Sequence, residues 1–89
     1  KINNVYPNPS NNSITISFSV LSQLSLIEIS IRNILGQQMY KTYITPKYRN
    51  INWTWHGNDD QGFNVPSGTY FISLSQKNIS QTKKITLLK

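Results

Sequence analysis

Hydrophobic and polar residues alternate with a period of two along most of the chain. The first clear run, residues 13–20, alternates serine or threonine with Ile14, Ile16, Phe18 and Val20. Successive side chains of a β-strand point to opposite faces, so this pattern predicts a strand with one buried and one solvated face. Strands of that kind are typical of antiparallel sheets.

The same alternation predicts five further strands, over residues 26–33, 37–44, 50–56, 69–76 and 81–89. In the last of these strands, Ile85 and Leu87 are expected to face inward. Turn-forming residues separate the runs, and Pro46 opens a loop over residues 45–50. No helical periodicity extends beyond a single turn. Short strands at this spacing indicate an all-β fold, and two packed antiparallel sheets are its usual form.

Length and composition limit what this fold can be. With 89 residues, of which 37% are hydrophobic and 13% charged, we expect one domain with a modest core. The absence of cysteine excludes disulfides and thiolate metal sites. No apolar run reaches the length of about 18 residues that a membrane-spanning helix needs, so the chain is predicted not to span a membrane. The chain begins without an initiator Met, and we expect residues 1–89 to be one domain of a longer protein.

The chain is basic, with a formal net charge of +6. Its basic residues are dispersed along the sequence, and the neighbours Lys83 and Lys84 should point to opposite faces of one strand. A continuous stripe of positive charge for phosphates is therefore not predicted. No RNP motif or zinc finger occurs either, and we predict no nucleic-acid partner.

The only histidine stands beside two of the three acidic residues, in the segment WHGNDDQG. Nucleophilic catalysis would need a serine in a strained elbow near His56, and no G-x-S-x-G pattern occurs. Zinc needs several nitrogen or sulfur ligands, which one histidine without cysteine does not supply. Asn, Asp and Gly build turns, so Asp59 and Asp60 are predicted to lie in a strand connection that ends at Gly62. Calcium binding by Asn58–Gln61 is the alternative, because its oxygens suit that ion.

Two tryptophans precede this segment. Trp53 and Trp55 are two residues apart, so they lie on one face of their predicted strand. Ile51 shares that face, which favours burial of both indoles in the core. A platform on which sugar rings stack is the alternative interpretation.

The order of short motifs along the chain resembles that of a known family. These motifs are VYPNPSNN, ITISFSV, IRNILGQQ, WxGNDDQG, VPSGTYF and QTKKITLLK. The chain resembles the type A C-terminal sorting domains of proteins exported by the type IX secretion system of Bacteroidetes. The W-x-G-x-D-x-x-G and G-x-Y pieces are similar to the related immunoglobulin-like domain of flagellar hook-capping proteins. The resemblance implies an immunoglobulin-like antiparallel β-sandwich of about six to seven strands.

The motif positions are expected to have structural roles, and they are Pro7, Asn8, Pro9, Gly36, Trp55, Gly57, Asp59, Asp60, Gly62, Gly68 and Tyr70. The prolines fix φ and lack a backbone donor, which predicts a rigid extended lead-in outside the hydrogen-bonded ladder. Gly36 is expected to allow a turn with positive φ, and Trp55 to fill the core.

The resemblance also implies a function. Such a domain is a non-catalytic sorting signal that directs its parent protein through the periplasm to the outer membrane, the cell surface or the medium. Its partners are the outer-membrane translocation machinery, a shuttle protein and a sortase; no cofactor, metal or small-molecule substrate is implied. Strand edges accept added strands, so recognition is predicted for the terminal residues Lys83, Lys84, Ile85, Leu87, Leu88 and Lys89. The alternative is an immunoglobulin-like structural, adhesive or carbohydrate-binding accessory module of a secreted hydrolase.

Overall fold

Seven β-strands make up the fold in a computed structural model that describes residues 2–8, 12–20 and 22–89. They are β1 (Ile2–Asn8), β2 (Ser13–Ser19), β3 (Ile27–Arg32), β4 (Gln38–Ile44), β5 (Asn50–Trp55), β6 (Gly68–Gln76) and β7 (Ile79–Leu87). Within these ranges, no helix has the length and apolar character needed to cross a membrane. The six predicted strands are present with boundaries within about two residues of those predicted, and β1 is the strand that the alternation did not predict.

The strands form two antiparallel sheets. One has three strands in the order β1-β2-β5, and the other has four in the order β4-β3-β6-β7. Hairpins join β1 to β2, β3 to β4 and β6 to β7, whereas the other three connections pass from one sheet to the other. The predicted all-β sandwich is confirmed.

A core of alternating side chains fills the space between the sheets. Ile16 of β2 and Ile29 and Ile72 of the other sheet are fully buried. The largest fully buried side chains are Trp55, Phe18, Ile14, Ile16, Ile29, Ile31, Ile72 and Leu87. Burying a side chain of this size stabilises the fold by about 1.5–3 kcal/mol. Because the apolar residues recur at every second position, the apolar faces of the two sheets pack against each other.

The expectation that Pro7 lies outside the ladder is wrong. β1 continues through Asn8, and Pro7 pairs with Ile14 of β2 while Asn8 pairs with Ser13. Proline is tolerated there because β1 is an edge strand, where a missing N–H on the outer side breaks no ladder bond. Pro9 lies outside the described residues, as do the side chains of Pro7 and Asn8.

Replacing Ile31 by alanine is expected to lower the free energy of unfolding by about 2–5 kcal/mol, because its side chain is fully buried. The matched control is Ile34→Ala, since Ile34 is 72% exposed. That variant should remain within about 0.5 kcal/mol of the unmodified protein. Urea unfolding followed by tryptophan fluorescence measures both values. Equal losses would contradict the assignment of the two residues to core and surface.

Candidate functional site

Two connections and the terminal residues meet at one end of the sandwich. The β3–β4 turn (residues 33–37) follows the end of β3, and the β5–β6 connection (residues 56–67) precedes the start of β6. Gly68 pairs with Leu87, which brings residues 88–89 to the same end. We call this region the Gly57 end. It contains five of the motif residues, Gly36, Gly57, Asp59, Asp60 and Gly62, and the last of the predicted recognition residues.

Gly57 is where the terminal segment packs against the rest of the fold. Its φ is +70°, a conformation that favours glycine. A β-carbon at this position would lie 3.1 Å from Leu87 Cδ2, 3.2 Å from Lys89 Cε and 3.2 Å from the Asn12 carbonyl oxygen. Both the backbone conformation and the close approach therefore favour glycine here.

Hydrogen bonds also hold the terminal residues in place. The Lys89 backbone N–H donates to Ser67 Oγ at 2.9 Å, and its Nζ donates to the Gly57 carbonyl oxygen at 3.1 Å. Leu87 is buried, whereas Leu88 is 64% exposed. The segment thus has a fixed path that buries one leucine and presents the next to solvent.

The two aromatic motif residues support this end from inside the core. The Trp55 indole is 1% exposed, and its Nε1–H donates to the Asn58 carbonyl oxygen at 2.8 Å. Its ring meets the Tyr70 ring edge-on, with centroids 5.2 Å apart. The Tyr70 hydroxyl donates to the Pro66 carbonyl oxygen at 2.6 Å, an arrangement known in β-sandwiches as a tyrosine corner. Burial raises the pKa of Tyr70.

The two aspartates of the connection hold backbone N–H groups. Asp59 Oδ1 accepts from the N–H groups of Gln61 and Phe63 at 3.0 and 2.9 Å. Asp60 Oδ1 accepts from the Lys41 N–H at 2.9 Å, and the Asp60 N–H donates to the Met39 carbonyl oxygen at 2.9 Å. Asp59 therefore shapes the loop, and Asp60 attaches it to the outer edge of β4.

The residues beside the two aspartates close the turn or face solvent. Gly62 has φ +87° and donates its N–H to the Asp59 carbonyl oxygen, which closes the turn. His56 is exposed. Across the described ranges, no three His, Cys, Asp or Glu side chains come together as metal ligands.

The β3–β4 turn displays two aliphatic side chains. Asn33 Oδ1 accepts from the N–H groups of Leu35 and Gln37, both at 3.0 Å, and its Nδ2 donates to Gln37 Oε1 at 2.8 Å. Gly36 completes the turn with φ +82°. This network leaves Ile34 and Leu35 exposed to 72% and 78% of their surface.

Exposed hydrophobic side chains therefore gather at the Gly57 end: Ile34, Leu35, Phe63 and Leu88. Ile34, Leu35 and Phe63 are not among the site residues predicted from the sequence. The signal was present, because Ile34 and Leu35 are an apolar pair between the turn residues Asn33 and Gly36. Because these two side chains lie outside the core, core packing does not explain their apolar character.

The six predicted recognition residues do not share one surface. Lys83 and Lys84 lie in the middle of β7 and are exposed. Ile85 and Leu87 are buried at 2% and 1% exposure, so in the folded domain they hold β7 against the core. Leu88 and Lys89 belong to the Gly57 end. The predicted segment thus divides into an exposed lysine pair, a buried anchor and an exposed terminal part.

The two tryptophans do not form an exposed platform on which sugar rings could stack. Trp55 is buried, and Trp53 is partly buried against the core, with its ring centroid 6.1 Å from that of Tyr40.

A groove of about 350 Å³ lies at the opposite end of the sandwich from the Gly57 end, with Phe18 and Leu74 in its lining. None of the predicted site residues lines it.

Replacing Gly57 by alanine is expected to lower the free energy of unfolding by about 2–4 kcal/mol, because it adds crowding to an unfavourable φ. Gly62→Ala is the matched control, since Gly62 also has positive φ but nothing lies within 4 Å of its added β-carbon. That control should cost only about 1–2 kcal/mol. Urea unfolding measures both, and equal losses would contradict the close approach of the terminal segment.

Replacing Tyr70 by phenylalanine is expected to lower the free energy of unfolding at pH 7 by about 1–2 kcal/mol, because the Pro66 carbonyl loses its donor. Since the pKa of Tyr70 is raised by folding, its contribution is complete below its unfolded pKa of about 10 and is lost as pH rises through the higher folded pKa.

Urea unfolding at neutral and strongly alkaline pH tests this effect. The unmodified protein should lose more stability with rising pH than Tyr70→Phe does. Tyr48→Phe is the control, because Tyr48 is 71% exposed. An alkaline loss that persists undiminished in Tyr70→Phe would show that burial of this hydroxyl is not its cause.

Comparison with known proteins places these features in a family. A family model described as the secretion system C-terminal sorting domain matches residues 4–88. A search of curated proteins finds no match. The matched range contains β2 to β7 entirely and the whole Gly57 end apart from Lys89. This chain belongs to the family of secretion system C-terminal sorting domains, the sorting signals of type IX secretion.

Proposed function

We propose that residues 1–89 form the C-terminal domain of a longer exported protein and act as its non-catalytic sorting signal. Family membership implies contact with the secretion machinery and delivery to the cell surface or the medium. The observation that carries the proposal is the fixed position of the terminal residues, which pack against Gly57 and bond to Ser67. A signal that is recognised after folding needs such a defined surface.

The partners that we propose are the outer-membrane translocation machinery, a shuttle protein and a sortase. The parent protein would reach them from the periplasm and leave as a surface-bound or released product. The sandwich itself supplies recognition, and the rest of the parent chain supplies activity. Support for a non-catalytic role comes from Asp59 and Asp60, whose carboxylates hold backbone N–H groups of the connection.

The recognition surface that we propose is the Gly57 end. Its exposed tips are Ile34 and Leu35 on one turn, Phe63 on the connection and Leu88 on the terminal segment. Asn33, Asp59 and Ser67 bond to the backbone beside these tips and hold them in place. A surface that is rigid before binding loses less conformational entropy when a partner covers it, which favours affinity.

Secretion of a reporter fused to residues 1–89 tests this proposal, in a host with and without the type IX apparatus. The unmodified fusion should reach the cell surface only when the apparatus is present. Deletion of Leu88 and Lys89, and the double variant Ile34→Ser with Leu35→Ser, should each reduce surface delivery about tenfold or more, because each removes apolar contact area.

The control variant is Leu24→Ser. Leu24 is 97% exposed in the β2–β3 connection, at the opposite end of the sandwich, so its replacement should not change delivery. Thermal unfolding of each purified domain must show that it remains folded. Full delivery of both folded Gly57-end variants would contradict recognition at this end, and failure of the unmodified fusion would contradict the sorting function itself.

A further inference from the structure

The two sheets have four edge strands, which are β1, β5, β4 and β7. β1 contains Pro7 and a register shift between Ile2 and Asn4, both of which interrupt pairing with another strand. Asp60 covers the edge of β4 through its bonds to Met39 and Lys41. β5 is a short edge of six residues, and it has no charged side chain that could select a charged partner.

β7 is a longer and more regular edge. It has nine residues and pairs with β6 without irregularity from Gly68↔Leu87 to Gln76↔Ile79. The pair Gln76 and Ile79 flanks a two-residue turn, so this pair and every second pair after it are hydrogen-bonded. The N–H and C=O groups of Ser80, Thr82, Lys84 and Thr86 consequently point away from β6. We call these outward backbone groups the free edge of β7. Near the start of β7, the Ile2 N–H of β1 donates to the Gln81 side-chain oxygen, and Gln81 alternates with the outward residues Ser80 and Thr82.

Two lysines mark the middle of this free edge. Lys83 and Lys84 are exposed and project to opposite faces of β7. Among the described residues, the ion pair found is between Lys41 and Glu28, with Nζ and Oε1 3.2 Å apart. Hydrogen bonds from Lys41 and Tyr43 lower the pKa of Glu28, so the Glu28 carboxylate already has partners within its own sheet.

The remaining acids are committed elsewhere. The sequence has three acidic residues, and Asp59 and Asp60 bond to backbone N–H groups of their own connection and of β4. The positive charge on β7 thus has no carboxylate partner within the described chain. An approaching strand that carries carboxylates would find both backbone groups and complementary charge.

We propose that the free edge of β7 binds an extended strand of a partner protein, in which acidic side chains lie beside Lys83 and Lys84. The inference rests on the proposed sorting function, since it assigns a second contact to the same recognition event. Backbone hydrogen bonds supply affinity, and the lysine charges select the acidic strand.

A second copy of this chain is a poorer occupant. Antiparallel pairing of two β7 strands about their centres would place the lysines of one copy beside those of the other. Like charges facing each other across a strand pair are destabilising, and edge lysines are a common defence against such self-association. The same side chains that oppose self-pairing attract an acidic strand.

Thr82→Pro tests the backbone contact, with Thr82→Val as its matched control. Both variants remove the hydroxyl that lies 2.8 Å from Ser73 Oγ, but only proline removes the outward N–H from the middle of the edge. In the reporter assay, Thr82→Pro should slow surface delivery about tenfold relative to Thr82→Val. The purified variants are compared by thermal unfolding.

A charge series tests the acidic partner and does not depend on whether the proline variant folds. Lys84→Gln should reduce delivery relative to the unmodified fusion. Lys84→Glu should reduce it further, to about a tenth of the unmodified value. Lys47→Glu is the control, because Lys47 is exposed in the β4–β5 connection away from β7. Equal delivery for glutamine and glutamate at position 84 would overturn the charge selection.

The outcomes separate this inference from the sorting function. Loss of delivery on deleting Leu88 and Lys89, with full delivery by folded Thr82→Pro and Lys84→Glu, would retain the sorting function and overturn strand binding at β7. Failure of the unmodified fusion would reject both. A dimer of the purified domain that Thr82→Pro abolishes would assign the edge to a second copy, which also overturns the inference.

Discussion

The close contact between Gly57 and the terminal strand would crowd a β-carbon, and this contact joins the parts of one end of the sandwich. Gly57 follows β5 of the three-stranded sheet, whereas Leu87 ends β7 of the four-stranded sheet. Their contact therefore joins the two layers beside the buried indole of Trp55. Since protein interiors are close-packed, a shift at this point would move the terminal segment and the connection together.

The predicted motif residues that the structure describes in full have geometric roles in this chain. Trp55 and Tyr70 fill and brace the core, Asp59 shapes a turn, and Asp60 covers a strand edge. Each of these roles is structural, which fits the sorting signal that the family implies. The exposed tips and the free edge of β7 are the surfaces that we propose for contact with partners.

The sequence could predict the strands whose two faces differ most. β2 alternates apolar with small polar residues, and β6 does so apart from Phe71, so one register alone buries the apolar set. β1 was missed because its sequence, INNVYPN, has little alternation and contains a proline that an edge strand tolerates. β4 gave a weak pattern because none of its side chains is fully buried. The covering of β4 by Asp60 could not be predicted, since it depends on contacts between distant segments.

Amide hydrogen exchange of the unmodified domain, measured by NMR, tests the fixed position of the terminal strand most directly. If β7 is an integral part of the fold, the amides of Ile85 and Leu87 will exchange with the same opening free energy as those of Ile29 and Ile72 in the core strands. Exchange of Ile85 and Leu87 at rates close to those of an unfolded chain, with the core amides still protected, would show that the terminal strand opens independently. That result would contradict the account.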